Sequence, residues 1–172
     1  MRLIAFTFLL GIFLVSSSFD TEVKEKINWV SWEEAVELNK KNPKKLFIDV
    51  YTDWCGWCKR MDKSTFTDPA VVKYMNKNFI AVKFNAEQKE DITWNGNTFK
   101  FVKSGRRGAH ELANALLNGR LGYPSFVLLD EDFARIMISP GFKKPEQLEI
   151  ELVFAHEEKY KETNWEDYKA RL

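Results

Sequence analysis

The sequence predicts an α/β fold with a mainly parallel central sheet flanked by helices. Three observations carry this expectation. Apolar runs of strand length occur at Leu46–Tyr51, Phe79–Phe84 and Phe126–Leu129. Stretches with helix start and stop signals separate them. Strands and helices also alternate along the chain, the order that builds a sheet covered by helices, with function at the carboxyl end of a central strand.

The first eighteen residues stand apart. Arg2, the apolar run Leu3–Val15 and the small residues Ser16-Ser17-Ser18 follow the order of a secretory signal peptide. The run falls short of the ~20 residues a membrane span needs, although an uncleaved anchor is the alternative reading. Cleavage would leave residues 19–172 as one domain, exported and without stable membrane insertion. It would remove one of 26 basic residues and none of 25 acidic ones, giving a balance that points to no nucleic-acid partner. A monomer is expected.

The elements follow in order. Ile27–Val30 suits a short strand, and Ser31-Trp32-Glu33-Glu34 is a capping box opening a helix to about Lys41, which Asn42-Pro43 ends. Leu46–Tyr51 is the central strand. A helix begins at Cys55 and breaks near Ser64; Asp68-Pro69, an N-cap with proline at the first helical position, starts another to about Asn76. Phe79–Phe84 is the next strand. From 86 to 107 the pattern weakens, but Asn95-Gly96 between strand-forming residues predicts a small hairpin over Thr93–Phe99. Ala109, Leu112, Ala113 and Leu116 share one face of a helix predicted over 109–118, with Gly119 beyond its end. Phe126–Leu129 and Arg135–Ile138 form a hairpin across Asp130-Glu131-Asp132. The last long helix follows Pro145 to about Glu158, with another turn or two at 164–171.

The chemistry concentrates at Trp54-Cys55-Gly56-Trp57-Cys58, which holds both cysteines of the chain. At the start of a helix Cys55 would meet unpaired backbone amides and the positive end of the macrodipole, which favour a thiolate. Such surroundings lower a cysteine pKa from about 8.5 to roughly 3.5–7.5, and Lys59 and Arg60 add positive potential. Cys58, nearly one turn on, is placed to act as the resolving thiol. This scheme needs Cys55 reachable and Cys58 shielded. A zinc site is poorly supported, because only His110 and His156 could join the two cysteines and neither is paired with them. A structural staple is also a weak reading, since so short a loop removes little chain entropy. Inert buried thiols are the remaining alternative.

Beyond the dithiol, several positions resemble the thioredoxin superfamily. Trp54 to Lys59 reads Trp-Cys-Gly-x-Cys-Lys, Asp49 precedes Cys55 by six residues, and Lys83 lies in Val82-Lys83-Phe84-Asn85. Gly122-Tyr123-Pro124 is similar to the family's cis-proline loop, and Gly141-Phe142 to its glycine turn before the last helix. The resemblance spans about residues 27–155. It departs at Trp57, which stands where ordinary thioredoxins carry proline, and over 86–121, which is longer than its thioredoxin counterpart. The stretch from Lys59 to Pro69 is closer to exported thioredoxin-like proteins and to the periplasmic C-terminal domain of the reductase DsbD.

The resemblance implies a thioredoxin fold with a hairpin and helix inserted over 86–121. It also implies a periplasmic thiol-disulfide oxidoreductase with no metal or organic cofactor beyond the cysteine pair. Its partners would be protein thiol or disulfide substrates and a thiol electron donor or acceptor. Cys55 would attack and Cys58 resolve. Asp49, a carboxyl in an apolar strand, would take the proton from Cys58, and Lys83 would tune it. Trp54, Gly56, Trp57, Tyr123 and Pro124 would contact the substrate, the three aromatics as an apolar rim. With no histidine between the cysteines to hold a thiolate, the reading leans towards a reductase; a disulfide oxidase or isomerase, or a non-catalytic binding module, is the alternative. Arg106-Arg107 with Arg120 reads as solvated loop charge, with a basic contact patch as its rival. His110 and His156 read as surface residues on helices.

Overall fold

The computed structural model describes residues 25–172, so the signal-peptide expectation for 1–18 lies outside the described residues. Strand β1 (Trp29–Val30) leads into helix α1 (Trp32–Lys41), where the Ser31 hydroxyl accepts the Glu34 backbone N–H at 3.1 Å. Strand β2 (Lys45–Tyr51) is buried along all but its last residue, with the charged Lys45 and Asp49 enclosed among its apolar side chains. Helix α2 (Gly56–Lys63) follows, then a 3₁₀ turn (Thr65–Thr67) and helix α3 (Pro69–Asn78). The Asp68 carboxylate caps α3 by accepting the N–H groups of Ala70 and Val71. Strand β3 (Phe79–Asn85) returns beside β2.

The 86–121 segment holds two hairpins and a helix. β4 (Ile92–Trp94) and β5 (Asn97–Phe99) close on Asn95 and Gly96, both at positive φ, the conformation that an Asn-Gly hairpin turn needs. β6 (Phe101–Ser104) and β7 (Arg107–His110) form a second hairpin that the sequence did not suggest. Helix α4 is correspondingly shorter than predicted, Glu111–Leu116, because residues 107–110 are spent in β7. Strands β8 (Ser125–Leu129) and β9 (Arg135–Pro140), helix α5 (Pro145–His156) and a short helix α6 (Trp165–Lys169) complete the order.

The main sheet runs β1-β3-β2-β8-β9. β1, β3 and β2 are parallel to one another, whereas β8 is antiparallel to β2 and β9 to β8. The sheet is therefore mixed rather than mainly parallel. A two-strand hairpin at one side reverses direction by construction, and no crossover helix separates β8 from β9.

The alternation of β2 divides the interior. Leu46, Ile48 and Val50 face a cluster with Trp32 of α1 and Leu112, Ala113 and Leu116 of α4. Phe47 faces the other side, packed with Met61 of α2, Val71, Val72 and Met75 of α3, and Leu148, Leu152 and Ala155 of α5. By the two-residue period of a strand, Asp49 projects to the Phe47 side, the layer that α2 covers. Among the described residues, no helix is long and apolar enough to cross a membrane.

Candidate active site

The strand-to-helix turn after β2 forms because Thr52 accepts the Cys55 backbone N–H through its carbonyl at 3.1 Å, reversing the chain into α2. Cys55 becomes the N-cap, with extended backbone, and Cys58 sits in the first turn. The two are disulfide-bonded, with Cα atoms 5.3 Å apart. The Cys58 backbone N–H donates to Cys55 Sγ at 3.1 Å, so a free amide of the helix start is aimed at that sulfur. A Cβ added at Gly56 would meet nothing within 4 Å, leaving the approach over the turn open.

Both cysteines are nonetheless buried in this oxidised form, Cys55 at 4% exposure and Cys58 at 2%. The expected contrast between a reachable and a shielded thiol is therefore small here. Its cause is local: Cys55 folds back over the first turn of α2 as a cap instead of projecting outward. Exposure belongs instead to the flanking indoles, Trp54 at 50% and Trp57 at 55%.

The aromatics do not form one rim. Trp54 packs edge-on against Tyr123 with ring centroids 5.9 Å apart, whereas Trp57 pairs with Phe142 at 5.5 Å. Each pair carries an arginine. Arg60, three residues along α2 from Trp57, lies 5.3 Å from its ring, and Arg107 of β7 lies 4.0 Å from the Trp54 ring. The Tyr123-Pro124 bond is cis, and Pro124 is buried where the chain enters β8.

Below, Asp49 lies directly across from Lys83 in the β2–β3 register, and the ammonium donates to Asp49 Oδ2 at 2.6 Å. Asp49 is 1% exposed, and its Oδ1 has no partner among the described residues. Burial pushes its pKa up to about 6; the Lys83 charge and hydrogen bond oppose this, and the nearby Asp62 charge adds to it. Lys83 is moved upward, because its two carboxylate partners outweigh a burial that alone would lower it. Its ammonium also lies 5.0 Å from the rings of Trp29, Tyr51 and Phe66.

The second partner of Lys83 is Asp62 of α2, in a close ion pair. Sequence reasoning missed Asp62, Phe142 as a rim residue and the contact from Arg107. Asp62 is one of many acids on amphipathic helices, and only the fold brings it to Lys83. The expectation for His110 is corrected: it is fully buried, not a surface residue. Its Nδ1 accepts the Leu112 N–H at 3.2 Å as the N-cap of α4, which leaves Nε2 to donate to the Glu90 carbonyl at 3.1 Å. His156 is exposed, as expected. Among the described residues, no group of three or more His, Cys, Asp or Glu side chains is placed to hold a metal ion.

Comparison with known proteins identifies the fold and the family. An uncharacterized protein of Caenorhabditis elegans is 35% identical over 83 residues, 48% of this chain and 11% of its own length. The thiol:disulfide interchange protein DsbD of Pectobacterium atrosepticum is 29% identical over 133 residues, 73% of this chain and 19% of its own. The chain thus spans less than a fifth of either relative. A thioredoxin-fold protein from Helicobacter pylori superposes with a TM-score of 0.57 at 19% identity, covering 76% of this chain and 80% of that one, which establishes a thioredoxin-like fold. The sequence model of one family, Thioredox_DsbH, described as "Protein of unknown function, DUF255", matches residues 14–151. With most of its length inside that match, the chain belongs to the Thioredox_DsbH family.

Proposed function

We propose that the chain is an exported, periplasmic protein-disulfide reductase working by thiol-disulfide exchange at Cys55 and Cys58. The observation that carries the reading is the Cys58 N–H directed at Cys55 Sγ across the start of α2. An amide held there before reaction stabilises a Cys55 thiolate once the disulfide is reduced. The DsbD relative, itself a thiol:disulfide interchange protein, supports the same chemistry.

In the reduced protein the Cys55 thiolate attacks one sulfur of a substrate disulfide, forming a mixed disulfide and releasing the other substrate sulfur as a thiolate. Cys58 then passes its proton to the Asp49 carboxylate and attacks Cys55 Sγ. That step forms the intramolecular disulfide and frees the second substrate thiolate. Two electrons leave the dithiol for the substrate, and an external thiol donor restores them. A carboxyl with a pKa of about 6 is ionised often enough at neutral pH to take that proton and basic enough to hold it. Lys83 and Asp62 position and tune Asp49. Trp54, Gly56, Trp57, Tyr123 and Pro124 receive the substrate segment, and no cofactor beyond the cysteine pair takes part.

The test uses a protein substrate with intact disulfides and a dithiol donor. Wild type accelerates reduction over the donor alone, Cys55→Ser does not, and Cys58→Ala accumulates a mixed disulfide at Cys55 that excess thiol releases. A Cys55→Ser variant as active as wild type would overturn the reading, and a wild type no faster than the donor alone would leave a binding module.

A further inference from the structure

The β6–β7 hairpin divides the surface beside Trp54 into two hollows with different linings. Alternation along β6 sends Phe101 and Lys103 to one side and Val102 and Ser104 to the other. The hollow on the Lys103 side has a volume of about 470 Å³ and a charged lining of Lys89, Lys103, Arg106 and Arg107 against Glu87 alone. The hollow on the Val102 side, about 570 Å³, includes exposed Val102 and Leu121 and shares Tyr123 with the active-site loop. Trp54, Glu87, Arg107 and Gly108 border both and form the ridge between them.

Lys89 is engaged with the Phe101 ring, its ammonium 2.8 Å from the ring centre, so the cations open to a ligand in the first hollow are Lys103, Arg106 and Arg107. Among the described residues none of Lys89, Lys103, Arg106 or Arg107 is in an ion pair. The Arg107 guanidinium carbon lies 4.0 Å from the centre of the Trp54 ring, and the side chain has no carboxylate partner among the described residues. The whole chain carries a formal charge of only +1, so four cations around one hollow are a local excess and not a reflection of general basicity. The hairpin is also held in a fixed place. A Cβ at Gly108 would collide with the Phe101 ring and the Val102 carbonyl, so only glycine permits this close strand crossing. His110 and Glu111 then tie its end to Ala86 and Lys100 through backbone hydrogen bonds of 2.7 and 2.8 Å.

We propose that this hairpin is a docking arm for protein substrates, selecting segments that carry an acidic side chain beside the disulfide to be reduced. The acidic group enters the Lys103–Arg106–Arg107 hollow, and the neighbouring apolar side chain lies across Trp54 towards Tyr123. This places the substrate sulfur near Cys55, the residue next to Trp54. The inference rests on the dithiol-exchange reading and adds to it a substrate class and the residues that choose it.

The test measures second-order rates of the reduced full-length chain with three disulfide-linked peptides of equal length, flanked by glutamate, serine or lysine. A small uncharged disulfide serves as the reference for each protein. The glutamate peptide is expected to react about tenfold faster than the lysine peptide at low salt, with the ratio falling towards one at high salt as screening shortens the reach of the charges. In a Lys103→Glu/Arg106→Glu variant, at two exposed positions, the ratio inverts; the milder Lys103→Ser/Arg106→Ser variant brings it towards one. Equal wild-type rates for the three peptides, or a ratio unchanged in both variants, overturn the docking arm while leaving the dithiol reading intact. Failure to react with any peptide or with the small disulfide overturns the dithiol reading and the arm with it.

Discussion

Asp49 and Glu151 are carboxyls sunk in the same apolar layer, yet their partners differ. Asp49, 1% exposed, has the Lys83 ammonium at 2.6 Å, whereas Glu151, 2% exposed, takes the Ser139 hydroxyl at 2.7 Å and has Lys143 only at 3.9 Å. Each leaves one oxygen without a partner among the described residues, and burial raises the pKa of both. Burial alone therefore does not separate the carboxyl proposed to work as an acid from the other. Asp49 lies on the central strand, in a chain of charges through Lys83 to Asp62 on the dithiol helix, the placement that the proposed proton transfer needs. Glu151 lies between α5 and β9, where a hydroxyl satisfies one oxygen and, among the described residues, no such chain of ion pairs links it to α2.

The largest expected contrast is kinetic. Asp49→Asn is expected to slow protein-disulfide reduction at pH 7 by about 10²-fold, the usual effect of losing a general base, while Glu151→Gln leaves the rate unchanged. Equal losses in steady-state assays would erase the distinction.

Stability provides the next test, and its sign runs the other way. The folded pKa of Asp49 exceeds its unfolded value, so the native state binds more protons and loses stability as pH rises from about 3.8 to about 6. In urea unfolding of the oxidised protein, Asp49→Asn is expected to be more stable than wild type at pH 8 by on the order of 2 kcal/mol. The two should converge below pH 4. A variant less stable at pH 8 would mean that the Lys83 pair outweighs the cost of burying the charge.

Asp62 sharpens the comparison further. Its charge adds to the raised pKa of Asp49 and holds part of Lys83, so Asp62→Asn should move the pH midpoint of the resolving step below that of wild type. An unchanged or higher midpoint would detach Asp62 from Asp49. The smallest effect is reserved for Glu151→Gln, which should change stability at pH 8 by no more than about 1 kcal/mol, in the stabilising direction.

Much of this arrangement was legible in the sequence where local rules and burial agree. Ser31, Asp68-Pro69 and Asn95-Gly96 carry their own capping or turn chemistry, and the apolar run of β2 leaves no alternative to a buried strand. The dithiol was legible because two cysteines at that spacing have few other uses. The β6–β7 hairpin was not, because Ala109, Leu112, Ala113 and Leu116 repeat at helical spacing and carry the pattern back across the true helix start. His110 caps that helix in place of the usual hydroxyl or carboxylate, so no start signal marked it. The role of Asp62 and the contact of Arg107 with Trp54 were invisible for another reason: each depends on a partner more than twenty residues away in sequence. Strand direction in β8 and β9 likewise depends on pairing that alternation of strands and helices does not specify.

The central claim is tested most directly by alkylating the reduced protein with iodoacetamide across pH and following each cysteine by mass. The account predicts that Cys55 reacts first, with a midpoint below about pH 7.5, while Cys58 stays unmodified until Cys55 is consumed. A Cys55 midpoint at or above about 8.5, the value of an ordinary cysteine, or a Cys58 that reacts ahead of it, would contradict the account.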